Sequence, residues 1–187
     1  MVGRKRLPFR VEGKTVDLRR PRLSDAPTIT RLLQDRTVSR FTFVPHPYTE
    51  KDARRFLEMV REGFRDRSNF AYAIELRKSR TLVGMIGFHN RSRVHNNIEI
   101  GYWVAKDVRG GGICTEAVKL GLRIAFRSLG VRRVHAHTFL DNPASARVLE
   151  KAGFSYEGTL RRAARHRGRY RDIRMYAIVK DDPLPRF

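Results

Sequence analysis

The residues with the clearest chemical meaning lie in the run Arg109–Thr115, in which the glycine block Gly110–Gly112 separates an arginine from a segment of helical spacing. Glycine accepts positive φ angles and lets a ligand approach the main chain closely. The first N–H groups of a helix have no partner within the helix and carry the positive end of its dipole. The run therefore predicts a phosphate seat, to which Arg109 adds a full charge. Rossmann and P-loop proteins bind phosphates with the same kind of turn, so the turn alone does not identify the ligand. The run lacks the lysine of a Walker motif and the GxGxxG spacing of a Rossmann motif.

Other side chains nearby could act as nucleophiles, caps or ligands. Cys114 is the single cysteine, so it excludes an internal disulfide. A helix N-terminus lowers the pKa of a thiol, which leaves Cys114 open as a nucleophile or as a small residue packed beside the ligand. Asn142 before Pro143 is typical of a helix cap. His135 and His137 share one face of a predicted strand, but no ligand spacing such as HExxH accompanies them, so no metal site is predicted.

The charge of the chain is strongly positive. Forty lysines and arginines against 19 acidic residues give a net charge of +21. Such a field attracts phosphate-bearing ligands, acidic proteins and RNA, and it disfavours polycationic substrates. A compositional bias toward arginine explains the charge equally well. Apolar stretches stay far below the ~20 residues of a membrane helix, and the basic N-terminus has no apolar signal segment, so we expect a cytoplasmic protein without membrane contact.

Hydrophobic periodicity predicts one domain at 14–181, preceded by a basic, flexible arm at 1–13 and followed by a tail at 182–187. Predicted strands cover Thr15–Arg19, Phe70–Leu76, Leu82–Phe88, Ile98–Val104, Val134–Phe139, Phe154–Leu160 and Ile173–Val179. Predicted helices follow the capping signals Ser24-Asp25 and Thr49 with Asp52, and cover Gly112–Leu129 and Pro143–Ala152. Two segments are expected to be loops, Phe41–Tyr48 because of Pro45 and Pro47, and the arginine-rich Arg161–Arg171.

The order of elements and the run Arg109-x-x-Gly112-x-Cys114 resemble the GNAT acetyltransferase superfamily, whose pyrophosphate motif is written (Q/R)-x-x-G-x-(G/A). Cys114 departs from that motif at its last position. Four further matches resemble the RimJ/RimL-type branch: Glu99-Ile100-Gly101-Tyr102-Trp103, Gly112-x-x-Thr115-Glu116-Ala117, Asn142-x-x-Ser145 and Gly153-Phe154-x-x-Glu157-Gly158. The resemblance covers about Gly13 to Lys180. It implies an α+β fold with a mostly antiparallel, twisted sheet of six to seven strands, splayed at the cofactor site and flanked by about four helices.

The same resemblance implies acetyl-CoA as co-substrate, with no metal. Pantetheine would lie between the strand holding Tyr102 and the strand Val134–Phe139, and the amides of Gly110–Thr115 would bind the pyrophosphate. The implied cofactor-binding residues are Tyr102, Trp103, Val104, Arg109, Gly110, Gly111, Gly112, Cys114, Thr115, Asn142 and Ser145.

Catalysis would be direct attack of an amine within a ternary complex. Glu99 is the candidate base, and the alternatives are a surface glutamate on a half-exposed strand or a partner for one of the many arginines. Many GNAT enzymes carry a tyrosine that acts as general acid where this chain has Leu149. Ser145 is therefore the candidate hydrogen-bond donor to the thiolate, and Tyr102 and Tyr156 are alternative candidates for that role. Phe41, Phe43, Tyr48 and Glu99 are the candidate acceptor-binding residues.

The sequence thus predicts an N-acetyltransferase acting on a protein N-terminus, for example that of a ribosomal protein. Two alternatives stay open: acetylation of a small amine such as an antibiotic or amino-acid derivative, and an RNA- or ribosome-binding module with a degenerate CoA site. The basic surface would contact RNA or an acidic protein, and the chain would be a monomer or a homodimer.

Overall fold

The computed structural model describes residues 6–183. Their centre is an eight-stranded sheet in the order β1-β2-β3-β4-β5-β6-β8-β7, in which β5 and β6 are parallel and every other neighbouring pair is antiparallel. The strands are β1 (Arg10–Glu12), β2 (Val16–Arg19), β3 (Phe70–Leu76), β4 (Leu82–Ser92), β5 (Asn97–Val104), β6 (Arg133–Phe139), β7 (Ser155–His166) and β8 (Arg169–Val179).

Five α-helices cover the two faces of the sheet within the described residues. They are α1 (Ala26–Leu32), α2 (Arg36–Arg40), α3 (Glu50–Asp66), α4 (Ile113–Arg123) and α5 (Pro143–Lys151). A π-helical segment, Ile124–Leu129, continues α4 to Gly130, whose φ of 69° ends it. The predicted cap of α3 is confirmed, because Thr49 and Asp52 form a reciprocal capping box. None of the helices in residues 6–183 is long and apolar enough to span a membrane.

Alternation along the strands divides the core between the two faces. Ile98 and Ile100 of β5 pack into the cluster that contains α4 and α5, whereas Trp103 packs against the cluster built from α1 and α3. Successive side chains of a strand point to opposite faces, so Glu99 and Gly101 lie on the same face as Trp103. The α1–α3 face of β5 therefore carries polar and small residues where the opposite face carries core.

The N-terminal region differs from the sequence-based prediction of a flexible arm at 1–13. Arg10–Glu12 is strand β1 and pairs with β2, and Leu7 is buried. Arg10 forms ion pairs with Asp17 and Glu75, which fix this short edge strand. The first five residues of that arm, and 184–187 of the predicted tail, lie outside the described residues.

The predicted loop Arg161–Arg171 is wrong, because β7 runs on to His166 and β8 starts at Arg169, so the two strands form a hairpin closed by Arg167-Gly168. Most of β7 is exposed as an edge strand, so no apolar alternation marks it in the sequence. The structure also has one strand more than the upper expectation of seven, namely β1. It has one α-helix more than the four expected, namely α2, which Asp35 caps through the amide of Thr37.

Candidate active site

A gap between β5 and β6 is the centre of the site. The two parallel strands pair only over Asn97–Glu99 and Arg133–His135, after which they diverge. The edge of β5 beyond Glu99 therefore has no strand partner on that side, which leaves backbone groups there for a ligand, apart from the Val104 carbonyl, to which Arg109 donates. A cleft of about 2170 Å³ passes through the gap. The predicted splay of the sheet is confirmed.

The glycine-rich turn between β5 and α4 lines one end of this cleft. Gly110 and Gly112 have φ angles of 82° and 77°, and a Cβ added at either would meet no atom within 4 Å. Gly112 is the N-cap of α4 and supplies no side chain to the first-turn amides, which leaves them available to an anion. Cys114 and Thr115 line the cleft with these glycines, whereas Gly111 does not. Five basic residues surround this end of the cleft: Lys14, Lys119, Arg123, Arg147 and Lys151.

The side chain of Arg109 is held by hydrogen bonds and an ion pair to other residues of the protein. Its guanidinium donates to the carbonyl of Val104 and to Thr37 Oγ1, and its Nη2 lies 3.0 Å from Asp35 Oδ2. Burial would raise the pKa of Asp35, but hydrogen bonds from Thr37 and the Arg109 charge outweigh burial and lower it. Arg109 thus ties the end of β5 to the segment before α2, and Asp35 neutralises part of its charge.

Two hydroxyl groups meet on the α5 side of the gap. Tyr102 Oη lies 3.1 Å from Ser145 Oγ and also donates to the Ser145 carbonyl. Burial raises the pKa of Tyr102, and the neighbouring Cys114 adds to the rise, so the phenol stays protonated. Asn142 caps α5, because its Oδ1 accepts the amide of Ser145. Since the single phenol proton of Tyr102 is donated to the Ser145 carbonyl, the hydroxyl of Ser145 is the neutral hydrogen-bond donor that the pair offers beside the gap.

Cys114 packs against the core beside this pair. Burial raises the pKa of its thiol to about 12, although the charge of Arg109 opposes the rise. A thiol with that pKa is protonated at neutral pH, and the thiolate is the nucleophilic form. Of the two roles left open for Cys114, the small packed residue fits this environment.

Glu99 lies at the other end of the gap, within a polar cluster contributed by three strands. Its Oε1 lies 3.0 Å from His137 Nδ1, and its Oε2 accepts from Asn90 Nδ2 at 2.8 Å and lies 4.0 Å from His135 Nε2. Burial would raise the pKa of Glu99, but the hydrogen bonds from His137 and Asn90 outweigh it and lower the pKa to about 2. The register His89↔Glu99↔His135 brings these side chains to one face. Glu99 is therefore an ionised acceptor at neutral pH.

Aromatic residues of the 41–48 loop border the same end of the cleft. Phe43 is 72% exposed and contacts the rings of Phe139 and His166. Tyr48, in contrast, is a buried member of the α1–α3 core, and burial raises the pKa of its phenol to about 12. Phe41 is half-buried and lines the cleft. Of the predicted acceptor-binding aromatics, Phe43 thus offers the most surface, and Tyr48 supports the loop.

Comparison with known proteins identifies this architecture. The family model described as "Acetyltransferase (GNAT) domain" matches residues 15–155. The chain belongs to the GNAT acetyltransferase family. It is 30% identical over 156 residues to the uncharacterized N-acetyltransferase YoaA of Bacillus subtilis (strain 168), covering 83% of this chain and 88% of that protein. It is 32% identical over 104 residues to the ribosomal-protein-serine acetyltransferase of Escherichia coli (strain K12), covering 56% and 58%.

Solved structures agree with the family assignment. Mycobacterium smegmatis RimJ in complex with CoA-disulfide matches with a TM-score of 0.81 at 27% identity, covering 96% of this chain and 87% of that one. The resemblance to the RimJ/RimL-type branch is thus confirmed, and the protein is an acetyl-transferring enzyme.

Most of the predicted site residues of this acetyltransferase line a single cleft. Those that do are Phe41, Phe43, Tyr48, Glu99, Tyr102, Trp103, Val104, Arg109, Gly110, Gly112, Cys114, Thr115, Asn142 and Ser145. Gly111 lies in the turn but outside the cleft lining. Leu149, which stands where many family members have a tyrosine, is fully buried in the core.

Sequence reasoning missed His137, Asn90 and Asp35, which contact predicted site residues. His137 carried a signal, since its alternation with His135 put it on one face of a strand. Asn90 carried none, because a bulge in β4 and a φ of 50° turn its amide toward Glu99. Among residues 6–183, no group of three or more His, Cys, Asp or Glu side chains is arranged to hold a metal.

Proposed function

We propose that this enzyme transfers an acetyl group from acetyl-CoA to the N-terminal α-amine of a protein, by direct attack in a ternary complex. The observation that carries the proposal is the cleft itself. One continuous opening joins an anion seat at Gly110–Thr115 to the Glu99 cluster on the other face of the sheet. A pyrophosphate-bearing donor and an amine acceptor can therefore enter from opposite ends.

The cofactor end fits acetyl-CoA on three features. The positive φ angles of Gly110 and Gly112 leave space that a side chain would occupy, and the first-turn amides of α4 supply donors for a diphosphate. The unpaired edge of β5 from Tyr102 to Val104 offers backbone groups to an amide-containing arm. Acetyl-CoA supplies the activated acetyl thioester, and the chain supplies positioning, which brings a large part of the acceleration in such reactions.

The chain's own groups support the polar steps. The neutral Tyr102–Ser145 pair can donate a hydrogen bond to the leaving sulfur. The amide N–H of Val104 or of its neighbour can polarise the thioester carbonyl. An α-amine, with an ordinary pKa of about 8, is partly neutral at pH 7 and needs only modest help to lose its proton.

Two features support a polypeptide acceptor. The acceptor end carries an exposed aromatic, Phe43, and it adjoins the β7–β8 hairpin with its exposed arginines Arg161, Arg162, Arg165 and Arg169. A relative is named for acetylating ribosomal-protein serine. We propose that the hairpin contacts acidic protein or ribosomal RNA near the acceptor.

A small cationic amine is the second candidate acceptor, and one observation favours it. Acidic side chains of α3 line the cleft: Asp52, Glu58 and Glu62. They would attract an ammonium group despite the overall positive field. An RNA-binding module with a degenerate CoA site has less support, because the glycine cradle retains open space and unpaired donors.

The test is an acceptor screen with acetyl-CoA. Peptides with different first residues, the same peptides with a blocked α-amine, spermidine and an aminoglycoside are incubated with the enzyme, and product masses are measured. We expect acetylation of free N-termini and none of blocked peptides that contain lysine. Acetylation confined to the small amines would replace the peptide acceptor by the second candidate.

A further inference from the structure

We propose that His137, rather than Glu99, accepts the proton from the attacking amine, and that Glu99 positions and orients His137. This inference rests on the proposed acetyl transfer from acetyl-CoA. It assigns the base to a residue that lines the same cleft and shares a 3.0 Å contact with Glu99.

The first argument concerns the tautomer of His137. Glu99 is ionised at neutral pH and can only accept hydrogen bonds. The contact between Oε1 and Nδ1 therefore requires the proton of a neutral imidazole to stay on Nδ1. The other ring nitrogen, Nε2, then carries a lone pair. Within residues 6–183 no hydrogen bond engages Nε2, and His137 lines the cleft, so the lone pair is available to a substrate there.

The second argument concerns Glu99 as the alternative base. Its carboxylate already accepts from His137 and from Asn90, and both bonds would be lost or weakened on protonation. Burial opposes these effects, yet the net pKa is about 2, which is far below neutral pH. A general base works best when its pKa is near the operating pH. Glu99 is thus built to stay charged.

The third argument is the contrast between the two neighbouring histidines. His135 precedes His137 by two residues on the same face of β6, but it does not line the cleft, and its Nδ1 is buried without a partner. Burial lowers the pKa of His135, and its Nε2 lies 4.0 Å from Glu99 Oε2, which is longer than the 3.0 Å between His137 Nδ1 and Glu99 Oε1. Of the two, only His137 combines the carboxylate contact with access to the cleft.

The proposed step balances as follows. The acceptor nitrogen forms a bond to the acetyl carbonyl carbon, the carbon–sulfur bond breaks, and its electron pair leaves on sulfur. One proton moves from nitrogen to His137 Nε2, which makes the ring a cation next to the Glu99 carboxylate. The thiolate, hydrogen-bonded by the Tyr102–Ser145 pair, takes a proton from water, and His137 returns its proton to water before the next turnover.

The kinetic test compares His137→Gln with the matched variant His135→Gln, using the best peptide from the acceptor screen. We expect His137→Gln to lower kcat about 100-fold, with little change in KM for acetyl-CoA, and His135→Gln to retain most activity. His137→Gln should also change the shape of the pH profile of kcat/KM, whereas His135→Gln should leave that shape as it is in the wild type. The assignment would be overturned if His137→Gln kept the wild-type kcat. It would also be overturned if Glu99→Gln lowered kcat more than His137→Gln does.

The pH profile has to be interpreted with the other titratable and charged groups around His137 in view. They are Glu99 on β5, which His137 contacts, and the groups that act electrostatically on Glu99 or His135, namely His89 on β4, Arg133 and His135 on β6, and Glu157 on β7. The His135→Gln profile separates the contribution of the nearest of these from that of His137.

A spectroscopic test needs no acceptor. Nitrogen NMR of the histidine rings distinguishes protonated from unprotonated ring nitrogens. In the wild-type protein we expect the neutral ring of His137 to carry its proton on Nδ1 and none on Nε2. The opposite tautomer would refute the proposal even in an active enzyme, whereas an enzyme that acetylates nothing would refute the proposed function and leave the tautomer result standing.

Discussion

Replacing Gly112 by glutamate tests the anion seat, on which the cofactor assignment depends. Gly112 has a φ of 77° and caps α4, and a Cβ at this position would meet nothing within 4 Å in the protein. The new side chain would therefore enter the space proposed for the diphosphate without disturbing the fold by a clash.

The expected size follows from two opposing contributions. The left-handed backbone costs a non-glycine residue about 1–2 kcal/mol, and a carboxylate at a helix N-terminus regains about 0.3–1 kcal/mol, so the net loss of stability is about 1 kcal/mol. Against a diphosphate about 5 Å away, the carboxylate costs about 3 kcal/mol per unit charge at an effective dielectric of 20. We therefore expect acetyl-CoA to bind at least about 100-fold more weakly at low salt.

The assay is isothermal titration calorimetry with acetyl-CoA, together with thermal unfolding. Gly130→Glu is the matched control, since Gly130 has a φ of 69°, ends the same helical segment, meets no atom at the Cβ position and lies outside the cleft lining. It should lose somewhat more stability, because a carboxylate at the end of a helix is unfavourable, and it should keep its affinity for acetyl-CoA. The placement of the seat would be refuted if Gly112→Glu bound acetyl-CoA as tightly as the wild type, or if Gly130→Glu lost as much affinity for acetyl-CoA as Gly112→Glu.

Three further predictions concern catalysis, stability and recruitment. Tyr102→Phe with Ser145→Ala removes the hydroxyl pair proposed to hydrogen-bond the leaving sulfur, and should lower kcat by more than it raises KM for acetyl-CoA; a change in KM alone would contradict the assignment. Buried Arg19 pairs with Asp25 and Glu75, and although burial would raise the pKa of both carboxyls, hydrogen bonding to Arg19 outweighs it and lowers both. The contribution of these ion pairs to stability is therefore complete above about pH 4.5 and is lost as pH falls through the lower folded-state pKa values. Glu75→Gln should lower the free energy of unfolding in urea by about 3 kcal/mol at neutral pH and make it depend less on pH in the acid range. An unchanged pH dependence of stability would contradict this role of the ion pairs. Affinity for an acidic peptide or RNA should fall steeply with salt if the hairpin arginines recruit it, and salt-insensitive binding would exclude that role.

Local signals in the sequence were sufficient for the elements that bury one face. β3 was predicted with its observed bounds, and the Thr49–Asp52 box located the start of α3. Edge strands gave weaker signals. β1 has three residues, and β7 exposes both faces, so neither carries the alternation that burial of one face imposes. Their pairing depends on partners that are distant in the chain, such as Arg10 with Glu75.

The same distinction separates the two ends of the active site. The proposed anion seat is contiguous in sequence, so glycine spacing and helix-terminus physics are enough to predict it. The Glu99 cluster depends on the alignment of three strands, because a shift of one residue between β5 and β6 would turn His137 to the opposite face. Asn90 depends further on the bulge in β4, where alternation alone would direct its side chain away from His89's face. A site whose base is oriented by a carboxylate on the neighbouring strand is therefore visible only once the register is known.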